Sequence, residues 1–498
     1  MGETIAIIGA GVAGLAAGCY AQMNGFRTRI FESQSQPGGL CTTWRRGEYA
    51  FDGCIRWLVG SASGSAVHQM WLELGALQGR RIHDADELTR IEGRDGRTLV
   101  VYRDADRLEQ HLSELSPADA ALATELCDAI RLFARLEPRR GALGSPADLL
   151  AAARTDPELV AHLRALRTWG ELPLTELAGR FRDPFLRHAL PLVFDMRDFP
   201  VLGALTTLGW MHNRAAGYPI GGSLELARAI ERRYVALGGE LRYRARVERI
   251  GVANARATGV VLTDGTELPA DVVISAADGH TTIFDMLGAR YADESMRRRY
   301  EARPTFPSFV QVSLGVARDL SSEPASVRFP LSEPIVVAGV AHESLLVRHY
   351  CYDETMAPAG KSAVVVSFDA ELADWTPFAR DRARYEAEKN AIATQVIAAL
   401  DRRLPGFARQ VEVVDVATPR TIVRYTGNWR GSTEGWLLTT SNWNESMSGT
   451  LPGLGGLYMV GQWVEPGGGV PAAAGSARKT VSTICRELGR DFRATLPG

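Results

Sequence analysis

Four short strand-like runs, Thr4–Ile8, Arg27–Phe31, Asp271–Asp278 and Leu457–Val460, stand out from the mixed patterns around them. Each is bounded by glycine or a charged residue and lacks a continuous polar face, the pattern of strands covered on both sides in a parallel sheet. Val12 to Asn24 follows the first run as a helical segment, and Gly9-Ala10-Gly11-Val12-Ala13-Gly14 joins the two. Further on, Tyr218-Pro219-Ile220-Gly221-Gly222-Ser223 precedes an amphipathic helix from Leu224 to Leu237, which Gly238-Gly239 stops. Leu241–Tyr243 and Arg246–Ile250 read as strands, and Thr263-Asp264-Gly265 reads as a hairpin turn. Near the end, Gly461 closes a strand and Gly467-Gly468-Gly469 opens a helix from Ala472 to Leu488, with Pro471 suited to its first turn.

Backbone geometry turns the first of these patterns into a dinucleotide site. Gly9 permits the tight strand-to-helix turn, Gly11 lets a pyrophosphate approach the main chain, and Gly14 lets the helix pack on the strand. The unpaired N–H groups at the helix start, from Val12 and Ala13 onward, then face the phosphate charge. Glu32 follows Phe31, where a carboxylate can accept both ribose hydroxyl protons of an adenosine half. An acid there also repels a 2′-phosphate, which argues against NADP. The turn alone does not choose between NAD and FAD. That choice comes from Gly38-Gly39-Leu40, a second glycine pair within reach of the same nucleotide, and from Gly461 with Gly468-Gly469-Val470. A helix start at the latter suits the N1–C2=O2 edge of a flavin, where reduction deposits negative charge. Three successive glycines between Pro466 and Pro471 exceed what a helix start needs and point to close approach by a flat ligand. FAD is the expected cofactor.

Together these segments resemble the phytoene desaturase-like branch of the FAD-containing amine oxidase superfamily, which includes carotenoid desaturases and isomerases. The likeness is specific over roughly the first sixty and the last forty-five residues and moderate from Gly217 to Asp278. It implies that Gly38, Gly39 and Leu40 cover the pyrophosphate and flavin edge, and that Phe51–Trp57 returns to the isoalloxazine. It also implies a backbone contact from Val247 to adenine; read from the sequence alone, Val247 is equally a buried strand valine. Two positions depart from the family. Arg56 stands where a histidine is often found, and Glu465 precedes Pro466 where bacterial carotenoid desaturases commonly carry a histidine. The implied chemistry is hydride transfer between flavin N5 and a long apolar or polyene substrate, as desaturase or reductive cyclase. Related enzymes serve bacterial carotenoid or polyketide secondary metabolism, polycyclic tetramates included. Arg56, Tyr425 and Glu465 are the candidates for orienting or protonating the substrate.

The expected fold class is therefore α/β, a Rossmann-like FAD-binding domain of the glutathione reductase/amine oxidase type with an inserted α+β substrate domain. FAD-binding parts are expected at 1–80, 217–288 and 425–498. Residues 81–216 read as a helical cap, with a helix from Ala118 to Leu136 and a loop marked by Pro138, Gly141, Gly144 and Pro146. Residues 289–424 read as a substrate-domain sheet, with strands at Phe309–Val316, Leu345–Tyr350 and Ala363–Phe368 and a long helix from Asp381 to Leu404. Tyr425, Trp429, Trp436, Trp443 and Trp463 crowd one region, either as packing or as flat walls for a conjugated substrate. Phe194-Asp195-Met196-Arg197 and Trp210-Met211-His212 read as chamber lining or as core.

Composition narrows the partners. A chain of 498 residues with 46% hydrophobic content can form ample cores, and a net charge of -2 gives no electrostatic reason to expect nucleic acid. No apolar run is long enough to span a bilayer, and little precedes the first strand that could serve as a targeting peptide. The six cysteines show no CxxC spacing, as expected of thiols in a reducing cytoplasm, and His342 and His349 lack the interval of a helical metal site. No metal is expected. A cytoplasmic enzyme that meets an apolar small molecule, with transient contact at a membrane surface, fits this profile. Two alternatives stay open. One is a flavin amine oxidase, which usually places a lysine near N5; the lysines here are Lys361, Lys389 and Lys479. The other is a non-catalytic prenyl- or lipid-binding carrier.

Overall fold

A computed structural model describes residues 3–135, 157–194, 199–442 and 447–497. The loop expected at Pro138 to Pro146, the Asp195-Met196-Arg197 stretch and Trp443 lie outside these residues. Three segments remote in sequence build one five-stranded sheet in the order Glu240–Arg242, Arg27–Phe31, Thr4–Ile8, Val272–Ser275, Leu457–Met459. All its pairings are parallel, for example Ile7 with Ile30 and with Ile274. Side chains alternate across the strands, so Ile5, Ile7, Ile30 and Ile274 enter one core while Ala6, Ile8, Phe31 and Val273 enter another. The first core is roofed by the helices Val12–Met23, Gly222–Ala236 and Gly469–Glu487. The second lies under the antiparallel strands Val247–Ala253, Arg256–Leu262 and Glu267–Pro269.

The helix Val12–Met23 is buried from Val12 to Ala21, which explains its run of small residues. A Cβ on Gly14 would lie 1.9 Å from the carbonyl oxygen of Gly9, and one on Gly18 would lie 2.6 Å from the Tyr234 ring. The helix therefore touches the turn before it on one side and the helix Gly222–Ala236 on the other.

A second, seven-stranded sheet runs Val411–Ala417, Ser308–Val316, Ser362–Ala370, Val340–His349, Ser326–Val337, Glu87–Glu92, Thr98–Tyr102. The long helix Arg382–Arg403 packs on one face through Ile392, Val396 and Leu400, and the Asp381 side chain caps it at Arg384 N, 2.9 Å away. The insertion expected at 81–216 as a helical cap also contains strands. Its first part folds as the hairpin Glu87–Glu92/Thr98–Tyr102, which joins this sheet through the parallel pairing of Val327 with Arg90. Both hairpin strands alternate buried and half-buried positions, the pattern of a sheet with one covered face. The helices that follow, including Ala105–Leu115, Ala120–Arg135 and Val201–His212, enclose a separate core around Leu112, Ile130 and Leu205.

Buried carboxylates tie these parts together. Asp52, 2% exposed, accepts hydrogen bonds from Ser223 N (2.7 Å), Ser223 Oγ (2.6 Å) and Cys54 N (2.9 Å), so it joins the Gly222–Ala236 helix to the segment returning past residue 54. Burial raises its pKa against the pull of these donors. Glu73, 4% exposed, accepts from Tyr20 Oη at 2.8 Å and from Arg478 Nε at 3.0 Å, joining the first helix to the last. Asp52→Ala, which strands three buried donors, is expected to lower unfolding free energy by about 3 kcal/mol in urea titrations; a change within error would show that the network does not hold the segments together.

Candidate functional site

The sheets and the helical cap surround one cavity of about 2010 Å³. Ordinary small-molecule pockets reach about 1,000 Å³, so this one has room for a dinucleotide and a second molecule. One end is lined by Gly9, Gly11, Val12, Ala13, Glu32, Gly38, Gly39 and Leu40. Gly9 adopts φ 94°, the left-handed region that lets the strand turn into the helix at once. The second glycine pair returns to this turn: Gly38 N donates to Ala10 O at 2.9 Å, and the Gly39 side faces the Gly11 Cα. The carboxylate of Glu32, 7% exposed, accepts from Ala10 N at 2.7 Å and Gln34 N at 2.8 Å and borders the cavity. Val247, 5% exposed, lies at the same end on the strand that starts the antiparallel layer.

The C-terminal residues close on this end. A Cβ at Gly461 would meet the Ala13 side chain at 3.4 Å, and Gly461 N donates to Ser476 Oγ at 2.8 Å. Gly467, Gly468 and Gly469 have φ of 90°, 57° and 83°, a succession that side-chain-bearing residues adopt at a cost. The helix Gly469–Glu487 starts here, and Gly468, Gly469 and Val470 line the cavity. Glycine-faced walls, a helix N-terminus and the buried Glu32 carboxylate beside the strand-to-helix turn are the donor and acceptor set that a flavin dinucleotide requires, so the residues fit the cofactor.

Beyond the glycines the cavity has two unlike walls. The helical side carries Phe133, Leu166, Leu192, Phe199, Leu202 and Trp210. The sheet side carries Gln311, Ser326, Arg348, Ser367 and Tyr350. Between them Tyr218, Tyr350 and Tyr352 cluster with centroids 5.2 to 6.0 Å apart, and His83 stacks on Tyr352 at 4.2 Å. Burial holds His83 below its ordinary pKa, favouring the neutral imidazole.

The three expected catalytic candidates fall in different places. Arg56 lines the cavity, and its positive charge acts on Tyr350 and Glu434, which line it too. Tyr425, on the helix Pro419–Thr426, is 53% exposed at the cavity margin, with the Arg424 guanidinium 5.6 Å from its ring. Glu465 also borders the cavity, and its carboxylate lies 3.9 Å from Lys479 Nζ. Of the described tryptophans in the aromatic tract, Trp429, Trp436 and Trp463 pack chiefly on one another and on Tyr300 and His280; Trp429 stacks on His280 at 5.1 Å, and Trp436 Nε1 donates to Trp463 O at 3.1 Å. Beneath them Asp278 accepts from Trp429 N and Thr281 N, both at 2.8 Å, and burial lifts its pKa to about 6.

Residues without a motif complete the site. Glu434 lines the cavity against the Gly468 loop, and burial raises its pKa to about 7. Its only sequence signal is an acid inside a tract of glycine and tryptophan. The Cys41 and Cys54 thiols also border the cavity and interact with each other, because the hairpin register that pairs Thr43 with Asp52 continues outward to them. Lys361 is absent from the cavity lining; it pairs with Glu412 at 2.7 Å. Lys389 pairs with Glu386 at 3.2 Å.

Comparison with known proteins agrees with this geometry. The family model for flavin containing amine oxidoreductases matches residues 12–485. The chain is 24% identical to a chloroplastic prolycopene isomerase of Daucus carota, over 98% of this chain and 81% of the relative. It is also 24% identical to a lycopene-forming phytoene desaturase of Paracoccus sp. (strain N81106 / MBIC 01143), over 98% of each. A putrescine oxidase structure with putrescine bound shares the fold at a TM-score of 0.60 and 14% identity, covering 98% of this chain and 100% of that one. The chain belongs to the flavin-containing amine oxidoreductase family. Within it, this is a phytoene desaturase-like, FAD-dependent oxidoreductase.

No helix among the described residues is long and apolar enough to cross a membrane. Glu32→Ala removes a carboxylate whose hydrogen bonds are worth about 1.5–3 kcal/mol, so FAD affinity is expected to fall roughly tenfold or more. The flavin-to-protein absorbance ratio of the purified variant checks this, and undiminished flavin content would remove Glu32 from the ribose position.

Proposed function

We propose that this enzyme exchanges hydride with a long, conjugated substrate that lies between the helical and sheet walls, and that the substrate bears a polar group along one edge or at one end. The observation that carries the proposal is the continuous cavity, glycine-faced at the cofactor end and walled beyond it by Phe133, Leu166, Phe199 and Trp210 on one side. An aliphatic and aromatic wall of this kind holds an extended apolar chain by burial. Polar groups on the opposite wall, Gln311, Ser326, Arg348 and Ser367, suit a substrate with oxygen or nitrogen functions better than a bare hydrocarbon.

In this reading the backbone of Gly11, Val12, Ala13 and Gly14 receives the pyrophosphate, with Gly38, Gly39 and Leu40 covering it. Glu32 holds the ribose, the Val247 backbone meets adenine, and Gly461, Gly468, Gly469 and Val470 meet the flavin. Bound there, FAD supplies two-electron hydride exchange at N5. The chain contributes orientation and exclusion of water, with Arg56 directing the substrate's polar or electron-rich part. Tyr425 and Glu465 act at the cavity margin, where they guide entry. The relatives named phytoene desaturase and prolycopene isomerase support a polyene substrate, as desaturase, reductive cyclase or isomerase. Against the amine oxidase alternative, Lys361 and Lys389 are held in ion pairs away from the cavity lining, and Lys479, which does border the cavity, is 76% exposed at its side chain and 3.9 Å from the Glu465 carboxylate.

The deciding experiment incubates oxidised and reduced enzyme anaerobically with three substrate sets: hydrocarbon polyenes, polyenes ending in a carboxyl or enolic group, and diamines. Mass spectrometry is expected to show a polar-ended polyene changed by two hydrogens or by an isomeric shift. Conversion of diamines alone would establish the amine oxidase instead. Arg56→Ala is expected to lower turnover roughly tenfold to a hundredfold with flavin content unchanged, and unaltered kinetics would remove Arg56 from the site.

A further inference from the structure

Among the acids that border the cavity, Glu434 has a distinctive position. It sits in the tight segment Gly431-Ser432-Thr433-Glu434-Gly435, held at both ends. Ser432 Oγ donates to Gly435 O at 3.0 Å, and Thr433 Oγ1 donates to Pro307 O at 3.1 Å. The main chain of Glu434 presses on the glycine loop: a Cβ on Gly468 would lie 2.5 Å from both the Cβ and the carbonyl oxygen of Glu434. The carboxyl is thus fixed beside the loop that opens the helix Gly469–Glu487. Glu434 is desolvated by the surrounding protein yet lines the cavity, which Arg56 lines as well, and the Arg56 charge reaches the carboxyl.

We propose that Glu434 is the proton-exchanging residue of the redox site and that Arg56 is its positioning partner. This rests on the flavin oxidoreductase reading above. In the oxidative direction one substrate C–H bond breaks with its electron pair leaving as hydride to the bound flavin. The neighbouring C–H bond breaks with its proton passing to the Glu434 carboxylate, and its electron pair forms the new C=C bond. The substrate would lose two electrons and two protons in all: both electrons and one proton as the hydride, which bound FAD would take up, and the other proton to Glu434. In the reductive direction both transfers reverse, and the Glu434 carboxylic acid gives its proton to the second carbon. The proposal has an electrostatic basis. Hydride transfer moves one negative charge onto its acceptor, and protonation of the Glu434 carboxylate removes one beside it.

Charged and titratable groups around Glu434 support this role. From the segment after Asp52 come the Arg56 guanidinium, which lowers the carboxyl pKa, and the Cys54 thiol. Gly467, Gly468 and Gly469 bring no side-chain charge, Pro304–Ser308 brings none, and the neighbouring Glu465 faces Lys479. Burial outweighs the Arg56 cation, which leaves the acid and its conjugate base both populated near neutrality, as a residue working in either direction needs.

The test needs no substrate. Spectroelectrochemical titration of the FAD-loaded enzyme across the neutral range, with a chemical mediator as the only redox partner, reads protonation linked to flavin reduction. The parent enzyme is expected to show a change in the slope of midpoint potential against pH. Glu434→Gln, nearly the same size, is expected to bind FAD equally and to lose that change. Arg56→Ala, by removing the cation, is expected to move it to higher pH. An infrared carboxyl band that titrates near neutrality in the parent and is missing from Glu434→Gln reads the same group without any redox step. An unaltered slope change and carboxyl band in Glu434→Gln would overturn the proposal. A folded parent protein that takes up no FAD would instead overturn the reading on which it rests.

Discussion

The close approach of the first helix to its own preceding turn governs the rest of the molecule. At Gly14 the main chain lies where a Cβ would be 1.9 Å from the Gly9 carbonyl oxygen, so even alanine would force the helix away from the sheet. That contact sets where the helix start faces, and so where phosphate charge can be met by backbone N–H groups. Gly461 then meets Ala13, which allows the last strand and the last helix to close the same end of the cavity. The cofactor end is therefore assembled by main-chain proximity between residues at opposite ends of the chain.

Backbone contact alone does not bind the remote segments to each other. Asp52 and Glu73 do so as buried acceptors, each surrounded by donors from other parts of the chain. A carboxylate in such surroundings is costly unless its hydrogen bonds are complete, which makes the arrangement specific as well as stabilising. The same low-dielectric surroundings raise the pKa values of Asp278 and Glu434, one under the aromatic cluster and one at the cavity wall. The Trp429 N–H and Thr281 N–H donors commit Asp278 to structure, whereas Glu434 lines the cavity, with the charge of Arg56 and the Cys54 thiol acting on it.

Two different architectures border the cavity beyond the glycines, one helical and one of strands. Helices present their apolar faces inward because their other faces meet solvent or one another. The sheet wall mixes polar Gln311, Arg348 and Ser367 with apolar Phe309, Leu346 and Val365, and its opposite face packs on the helix Arg382–Arg403. An extended molecule lying between them would have one side held by burial and the other by hydrogen bonds.

Within the sequence itself, Gly9, Gly11, Gly14, Glu32 and the Gly467–Gly469 loop were legible because main-chain geometry limits which residues a tight turn or close approach tolerates, and that limit acts locally. The parallel strands and the long helix were legible for a similar reason, since their patterning is set by burial within each element. The strand Ser326–Val337 was not, because Pro330 and Pro334 interrupt its alternation and a bulge between Pro330 and Ile335 absorbs them. Nor was the hairpin Glu87–Tyr102 placed at the edge of a sheet whose other strands begin more than two hundred residues later. Glu434 carried no motif. Its meaning depends on Arg56 and Gly468, which only folding brings to it, and on a desolvation that no sequence window contains. Local steric rules thus wrote the cofactor end into the sequence, while the environment of the reacting groups, being a sum over distant neighbours, was decided by the tertiary structure.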